Sequence, residues 1–203
     1  MNAAEPASTG RASVKPASTD PASTDPAVRD AVLRLTTGVT VLTTLHDGRP
    51  HGSTVSAVNL VLRNPPILSA GLRGGAVLTG LAVAAGQYAV NVLTHRQALL
   101  ADWFANPDRP AGAGQFERVG WESDPDTGLP VLRHTLATLV CRLEDLVAVG
   151  DHELLLGRVI SARSGHGSPL VSYGGALYGT EFHDVARRRG WRAPAGASGT
   201  GFD

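Results

Sequence analysis

Three short stretches carry side chains able to do chemistry, and none of them pairs a nucleophile with a base. Gly150-Asp151-His152-Glu153 sets a histidine beside a carboxylate in a turn. With an ordinary pKa of about 6.5, an imidazole there is a neutral hydrogen-bond partner or a cation facing an anion. A turn histidine merely solvated, or paired with Asp151, has the same sequence. Arg73-Gly74-Gly75-Ala76 precedes apolar residues at helical spacing. Backbone N–H groups at the start of that helix, with Arg73 for charge, suit an anion, although a Gly-rich turn that only caps a helix reads identically. Thr54-Val55-Ser56-Ala57 combines extended character with small hydroxylic side chains. Such a stretch offers donors to a ligand without bulk, or simply faces water.

Other chemistries are excluded by pattern. There is no G-x-S-x-G, no H-E-x-x-H and no acidic cluster at metal spacing. A Rossmann G-x-G-x-x-G is absent, since Gly74-Gly75 and Gly174-Gly175 lack the spacing, and so is a P-loop G-x-x-x-x-G-K-[ST]. The single cysteine, Cys141, forms no intrachain disulfide and no Cys-based zinc site, which fits a reducing, cytoplasmic setting. In Leu139-Val140-Cys141-Arg142 it reads as core. His134, His166 and His183 read as surface residues. Eighteen Lys and Arg balance eighteen Asp and Glu, so no global field gathers nucleic acid or anionic lipid. No apolar run approaches the roughly 20 residues of a membrane span.

The elements that must position these residues follow from periodicity. Pro-Ala-Ser-Thr recurs at residues 6–9, 16–19 and 21–24, so residues 1–24 are expected to be a disordered low-complexity tail. Order begins at Asp25-Pro26, with a helix through Val28, Ala31, Val32 and Leu35 that stops at Gly38. A hairpin follows, from Val39–Thr44 across Asp47-Gly48 to one long run from about His51 to Leu62. Asn64-Pro65-Pro66 breaks the chain before Ile67–Leu72. A helix over Leu78–Ala85 ends at Gly86, Tyr88–Leu93 is a strand, and a helix containing Leu99–Phe104 ends at Asn106-Pro107. Residues 106–115 read as an exposed loop. The remainder is sheet: Leu136–Val147, His152–Ala162, Leu170–Tyr173 and Ala176–Tyr178. Residues 181–203, with Arg187-Arg188-Arg189, read as a partly flexible, solvated tail. Many strands, few short helices and no strand–helix alternation point to a mainly β barrel rather than a doubly wound sheet.

Four segments taken together carry a family resemblance: Thr37–Thr44, Gly52–Val58 leading to Asn64-Pro65-Pro66, Tyr88–Leu93, and Gly150–Glu153 followed by Leu156-Gly157-Arg158-Val159. In this order and spacing the chain resembles the flavin reductase family over about residues 27–180. The resemblance implies an FMN-binding split β-barrel of Greek-key type with a few short peripheral helices, a domain over 25–180. It implies hydride transfer from NADH or NADPH to FMN or FAD, with reduced flavin passed to a flavin-dependent monooxygenase. A homodimer with the site near the subunit interface is implied as well. A non-enzymatic flavin-binding or storage protein of the same fold is the alternative. By resemblance, Thr54, Val55, Ser56 and Ala57 run along the isoalloxazine edge and Arg73, Gly74, Gly75 and Ala76 hold the phosphate. His152 sits near flavin and nicotinamide, and Asn91 and Tyr173 join the cofactor-binding set, Tyr173 with a core or interface role equally open. The phosphate stretch departs from the family pattern by lacking hydroxyls before the helix, which implies looser flavin binding. Stacking two planar rings needs orientation rather than acid–base help, consistent with the missing nucleophile–base pair.

Overall fold

The structure, a computed structural model, describes residues 25–179; the tails expected over 1–24 and 181–203, with His183 and Arg187–Arg189, lie outside the described residues. In chain order the elements are helix α1 (Pro26–Val32), strands β1 (Thr37–Gly38), β2 (Thr40–His46), β3 (Arg49–Val55), β4 (Val58–Arg63) and β5 (Pro66–Arg73), helix α2 (Val77–Ala85), strand β6 (Gln87–Val92) and helix α3 (Ala98–Ala105). Strands β7 (Trp121–Ser123), β8 (Pro130–Leu132), β9 (Ala137–Val149), β10 (His152–Ser164), β11 (Leu170–Tyr173) and β12 (Ala176–Gly179) complete them.

Asp25 starts α1 as its sequence requires, its carboxylate accepting from the Ala27 N–H at 2.9 Å, with proline in the first turn. The helix stops at Val32, short of the expected Gly38. The β-branched Thr36 and Thr37 favour extended backbone, and Gly38 pairs with Val171 in β11 instead. The expected single run from His51 to Leu62 is also two strands. The main sheet has the order β3-β2-β6-β9-β10-β5-β4, so β3 and β4 occupy its opposite edges. Only Ser56 and Ala57 separate them. Consecutive Cα atoms are about 3.8 Å apart, so the two edges meet and the sheet must roll into a barrel with its seam at this link. The Gly71 N–H donates to the Ala57 carbonyl at 2.9 Å, extending the β4–β5 ladder into this link.

Strand alternation sorts side chains between two cores. Leu42, Val55, Leu68, Ala70, Leu72, Tyr88, Val90, Cys141 and Leu155 fill the barrel, and α2 packs onto them through Leu78 and Ala82. Burial pushes the Cys141 thiol up to about 12, so it is a core group. Val39, Val41 and Leu93 face the other way, onto Ala101 and Phe104 of α3 with Phe116 and Leu132. The small β7–β8 pair was not foreseen, because three-residue strands in a Pro-, Gly- and Asp-rich stretch show no period. Among the described residues no helix is long and apolar enough to cross a membrane, and no three His, Cys, Asp or Glu side chains converge as metal ligands.

Gly157 lies where β10 passes Tyr88, and a Cβ there would overlap the Tyr88 hydroxyl and stand 3.0 Å from the Cys141 Cβ. Gly157→Ala should therefore destabilise the protein by about 1–3 kcal/mol in urea unfolding. Gly80→Ala, which meets only open space on α2, should stabilise it by about 0.4–1 kcal/mol.

Candidate functional site

The β5–β10 ladder sets His152 directly opposite Arg73, so both side chains leave the sheet on the same face. One residue further on, the Gly74 N–H donates to the Asp151 carbonyl at 2.8 Å, joining the two turns. The His152 ring lies 2.7 Å, through Nδ1, from the Asp151 carboxylate. That hydrogen bond, with the charge interaction behind it and a smaller contribution from Arg73, holds the Asp151 carboxyl below its ordinary range. An ionised Asp151 fixes a proton on Nδ1 and leaves Nε2 pointing away from the carboxylate. Both side chains are exposed. Gly75 takes φ +74°, a left-handed turn that aims the chain into α2. Ala76 offers no capping side chain. The first-turn N–H groups of Val77, Leu78 and Thr79 therefore lack both helical acceptors and a cap. The Thr79 hydroxyl, in the same turn, is buried without a partner among the described residues.

The seam segment is more selective than its sequence suggested. Val55 is a core side chain, and the Thr54 hydroxyl donates to the Ala101 carbonyl of α3 at 2.6 Å. Ser56 and Ala57 are the exposed members, beside the backbone of an edge strand. Asn91 must leave the candidate set. It is 0 % exposed, its amide donating to the Val41 carbonyl and the Thr43 hydroxyl, both at 3.0 Å, and its carbonyl accepting from Leu132 N–H at 2.9 Å. With donors and acceptor committed, it pins β6 to β2 and β8 and has nothing left for a ligand. Tyr173 lies in the separate β1-β11-β12 sheet, edge-on to Tyr178 with ring centroids 6.3 Å apart, its hydroxyl accepting from Arg34 Nη1 at 3.0 Å. That sheet joins the main one at Leu93 and Leu170, the Ser164 end of β10, so within one protomer Tyr173 does not meet His152. His134 and His166 are exposed, as expected.

One cavity lies at the far, Ser164 end of β10 and a second beside the start of α2. The larger, about 1180 Å³, is lined by His95, Arg96, Arg133, Arg163 and His166 and includes none of the residues singled out from the sequence. It is a broad surface hollow in which Glu122 pairs with Arg133 and Arg163. The smaller, about 520 Å³, opens beside Ser53 and Ala76 and is floored by a group that sequence reasoning missed. His51 Nδ1 lies 3.0 Å from Gln115 Nε2, while Gln115 Oε1 accepts from the Gly52 N–H and from Arg109 Nε. Burial first, then the neighbouring Arg109, lowers the His51 pKa to about 4, so its ring is neutral at physiological pH. The expected exposed loop thus ends in a buried residue, since Gln115 is 1 % exposed. Nothing local announces an interaction between residues 51, 109 and 115; only folding brings them together.

The family model described as flavin reductase-like domain matches residues 32–181. A similar curated protein is the NADPH-flavin oxidoreductase of Streptomyces viridifaciens, 44 % identical over 155 residues that cover 76 % of this chain and 80 % of that one. The reductase component of a 4-nitrophenol 4-monooxygenase/4-nitrocatechol 2-monooxygenase from Rhodococcus opacus is 34 % identical, covering 68 % of this chain and 72 % of its own. Among solved structures, BorF, the flavin reductase component of a bacterial two-component tryptophan halogenase, superposes with a TM-score of 0.72 at 31 % identity, covering 78 % of this chain and 99 % of that one.

Asn91→Ala should cost about 2–4 kcal/mol, because it strands the buried Leu132 N–H and two acceptors. The folded fraction should bind ligand unchanged. A large loss of ligand affinity with normal stability would return Asn91 to the site.

Proposed function

The chain belongs to the flavin reductase-like domain family and is an NAD(P)H:flavin oxidoreductase, and we propose that its reaction takes place on the face where the Ser56–Ala57 seam, the Arg73–Ala76 turn and His152 meet. The observation that carries this placement is the register of β5 and β10, which puts an anion-binding turn and an ionisable ring side by side. FMN or FAD fits the residues present. The uncapped first turn of α2 and Arg73 suit the phosphate, and the glycines leave room for close backbone approach. Backbone groups at the seam and Ser56 suit the polar edge of the ring. When bound, the flavin accepts hydride from the nicotinamide.

The chain's own part in that transfer is orientation. Edge backbone holds one ring in plane, and His152, steadied through Nδ1 by Asp151, presents Nε2 to the ligands. A phosphate turn made of Gly and Ala, without hydroxyls, suits a flavin that arrives and departs as a substrate. This favours a reductase that releases reduced flavin over a storage protein. We assign as recipient a flavin-dependent monooxygenase, and as location the cytoplasm, where reduced nicotinamide is available.

We assign a homodimer, and the bareness of α1 supports it. This seven-residue helix buries none of its residues, leaving Val28 and Val32 exposed with Leu35 just beyond its end, and a helix so short is not stable without packing. β4 adds exposed Leu60, Val61 and Leu62 at the sheet edge. A second copy is the cover we assign to these surfaces.

Anaerobic mixing with FMN or FAD and NADH or NADPH should bleach the flavin's visible band catalytically; no bleaching with any pairing rejects the reductase. His152→Ala should slow hydride transfer about tenfold or more with the fold intact. An unchanged rate and nicotinamide affinity would remove His152 from the site. Sedimentation should give twice the 21.0 kDa chain mass, and Val32→Asp should shift it to monomer. A monomeric wild type at micromolar concentration contradicts the dimer.

A further inference from the structure

The 520 Å³ pocket between β3, the start of α2 and residues 107–115 has the composition of an anion receptor with an apolar wall. Arg49 and Arg109 line it, and no carboxylate does. Arg109 is held by neutral acceptors: Nη1 donates to the Asn106 carbonyl at 2.6 Å, Nη2 to the Gly52 carbonyl at 2.7 Å and Nε to Gln115 Oε1 at 3.3 Å. Its orientation is therefore fixed while its charge is uncompensated. The Arg49 guanidinium has no hydrogen-bond or ionic partner among the described residues.

His51 sharpens the point. Gln115 Oε1 accepts two hydrogen bonds, so its Nε2 must be the donor to His51 Nδ1, and the neutral ring carries its proton on Nε2. That Nε2–H stands 3.4 Å from Arg109 Nη2, itself only a donor. A single anionic oxygen set across the two would accept from both. Val77, Leu81, Pro107 and Pro110 supply an apolar wall beside this polar floor.

We infer that this pocket is a subsite for an adenosine phosphate, the adenylate half of a dinucleotide, its phosphate on Arg49, Arg109 and His51 and its purine against the proline-lined wall. The inference rests on the flavin reductase reading and deepens it. FAD is the favoured source: Ala76 and Val77 belong both to the turn assigned to the flavin phosphate and to the pocket wall, so the adenylate attached to that phosphate enters the pocket directly. The adenylate of NADH or NADPH has the same chemistry, and the test separates the two.

Arg109 also ties backbone groups, so the variants are Arg49→Ala and Ala111→Trp, the second on an exposed loop residue with extended backbone at the pocket mouth. Steady-state KM values for FMN, FAD, NADH and NADPH are measured on the full chain, with AMP as inhibitor. If FAD is the source, both variants raise KM for FAD about tenfold, leave KM for FMN within about twofold, and weaken AMP inhibition competitive with FAD. If the nicotinamide nucleotide is the source, its KM rises equally with either flavin, while both flavin KM values hold. Unchanged KM values for every substrate, or a rise for FMN equal to that for FAD, overturns the subsite. Absence of FMN reduction by the wild type rejects the parent reading, whereas intact FMN turnover with variants insensitive in all other arms rejects the subsite alone.

Discussion

Strands β3 and β4 stand at opposite edges of the sheet yet are separated by only Ser56 and Ala57, and this short tether governs the rest of the molecule. A flat or gently twisted sheet of this order would hold the two edges far apart, so the strands must curl until they meet. Curling creates an interior that Leu42, Tyr88, Cys141 and Leu155 fill and that α2 covers. It also leaves an opening where β3 and β4 are not laddered together. Edge backbone at that opening is available to a ligand because the fold needs a seam. The Gly71–Ala57 hydrogen bond fixes the seam against β5, whose last residue is Arg73. The curling that brings β3 to β4 thus also sets the Ser56–Ala57 link beside the strand that ends at Arg73.

Within that frame, hydrogen-bond capacity decides which polar residues are free to act. Asn91 and the Thr54 hydroxyl have polar character in the sequence but are committed to Val41, Thr43, Leu132 and Ala101. Asp151 has one main task, orienting His152, and remains ionised while doing it. Arg49 and Arg109 show the opposite condition, positive charge in a pocket that no carboxylate lines. The electrostatics of the two regions agree, since both suit a ligand bearing phosphate and planar rings.

Much of this was readable from residue order. Asp25-Pro26, Gly86 and the turns at Asp47-Gly48 and Gly150-Asp151 mark element boundaries through local chemistry, and the structure has boundaries at each. The pairing of His152 with Arg73 was not legible in the sequence, since the two positions are 79 apart and ladder register is a long-range property. The break at Ser56–Ala57 was illegible because both flanks have strand composition, and only the sheet order shows that they belong to opposite edges. Gly38 misled because a helix stop and a strand start look alike at one glycine. His51, Arg109 and Gln115 gave no signal, their shared pocket being created by how the 106–115 loop folds back on β3.

The central claim, that flavin is held at the seam and the adjoining turns, is tested most directly by backbone hydrogen exchange with and without saturating FMN. The account predicts slowed exchange at residues 54–58, 74–79 and 151–153, with little change around the larger cavity. Slowed exchange confined to residues 94–97 and 163–168, which line that cavity, with the seam unaffected, would contradict it.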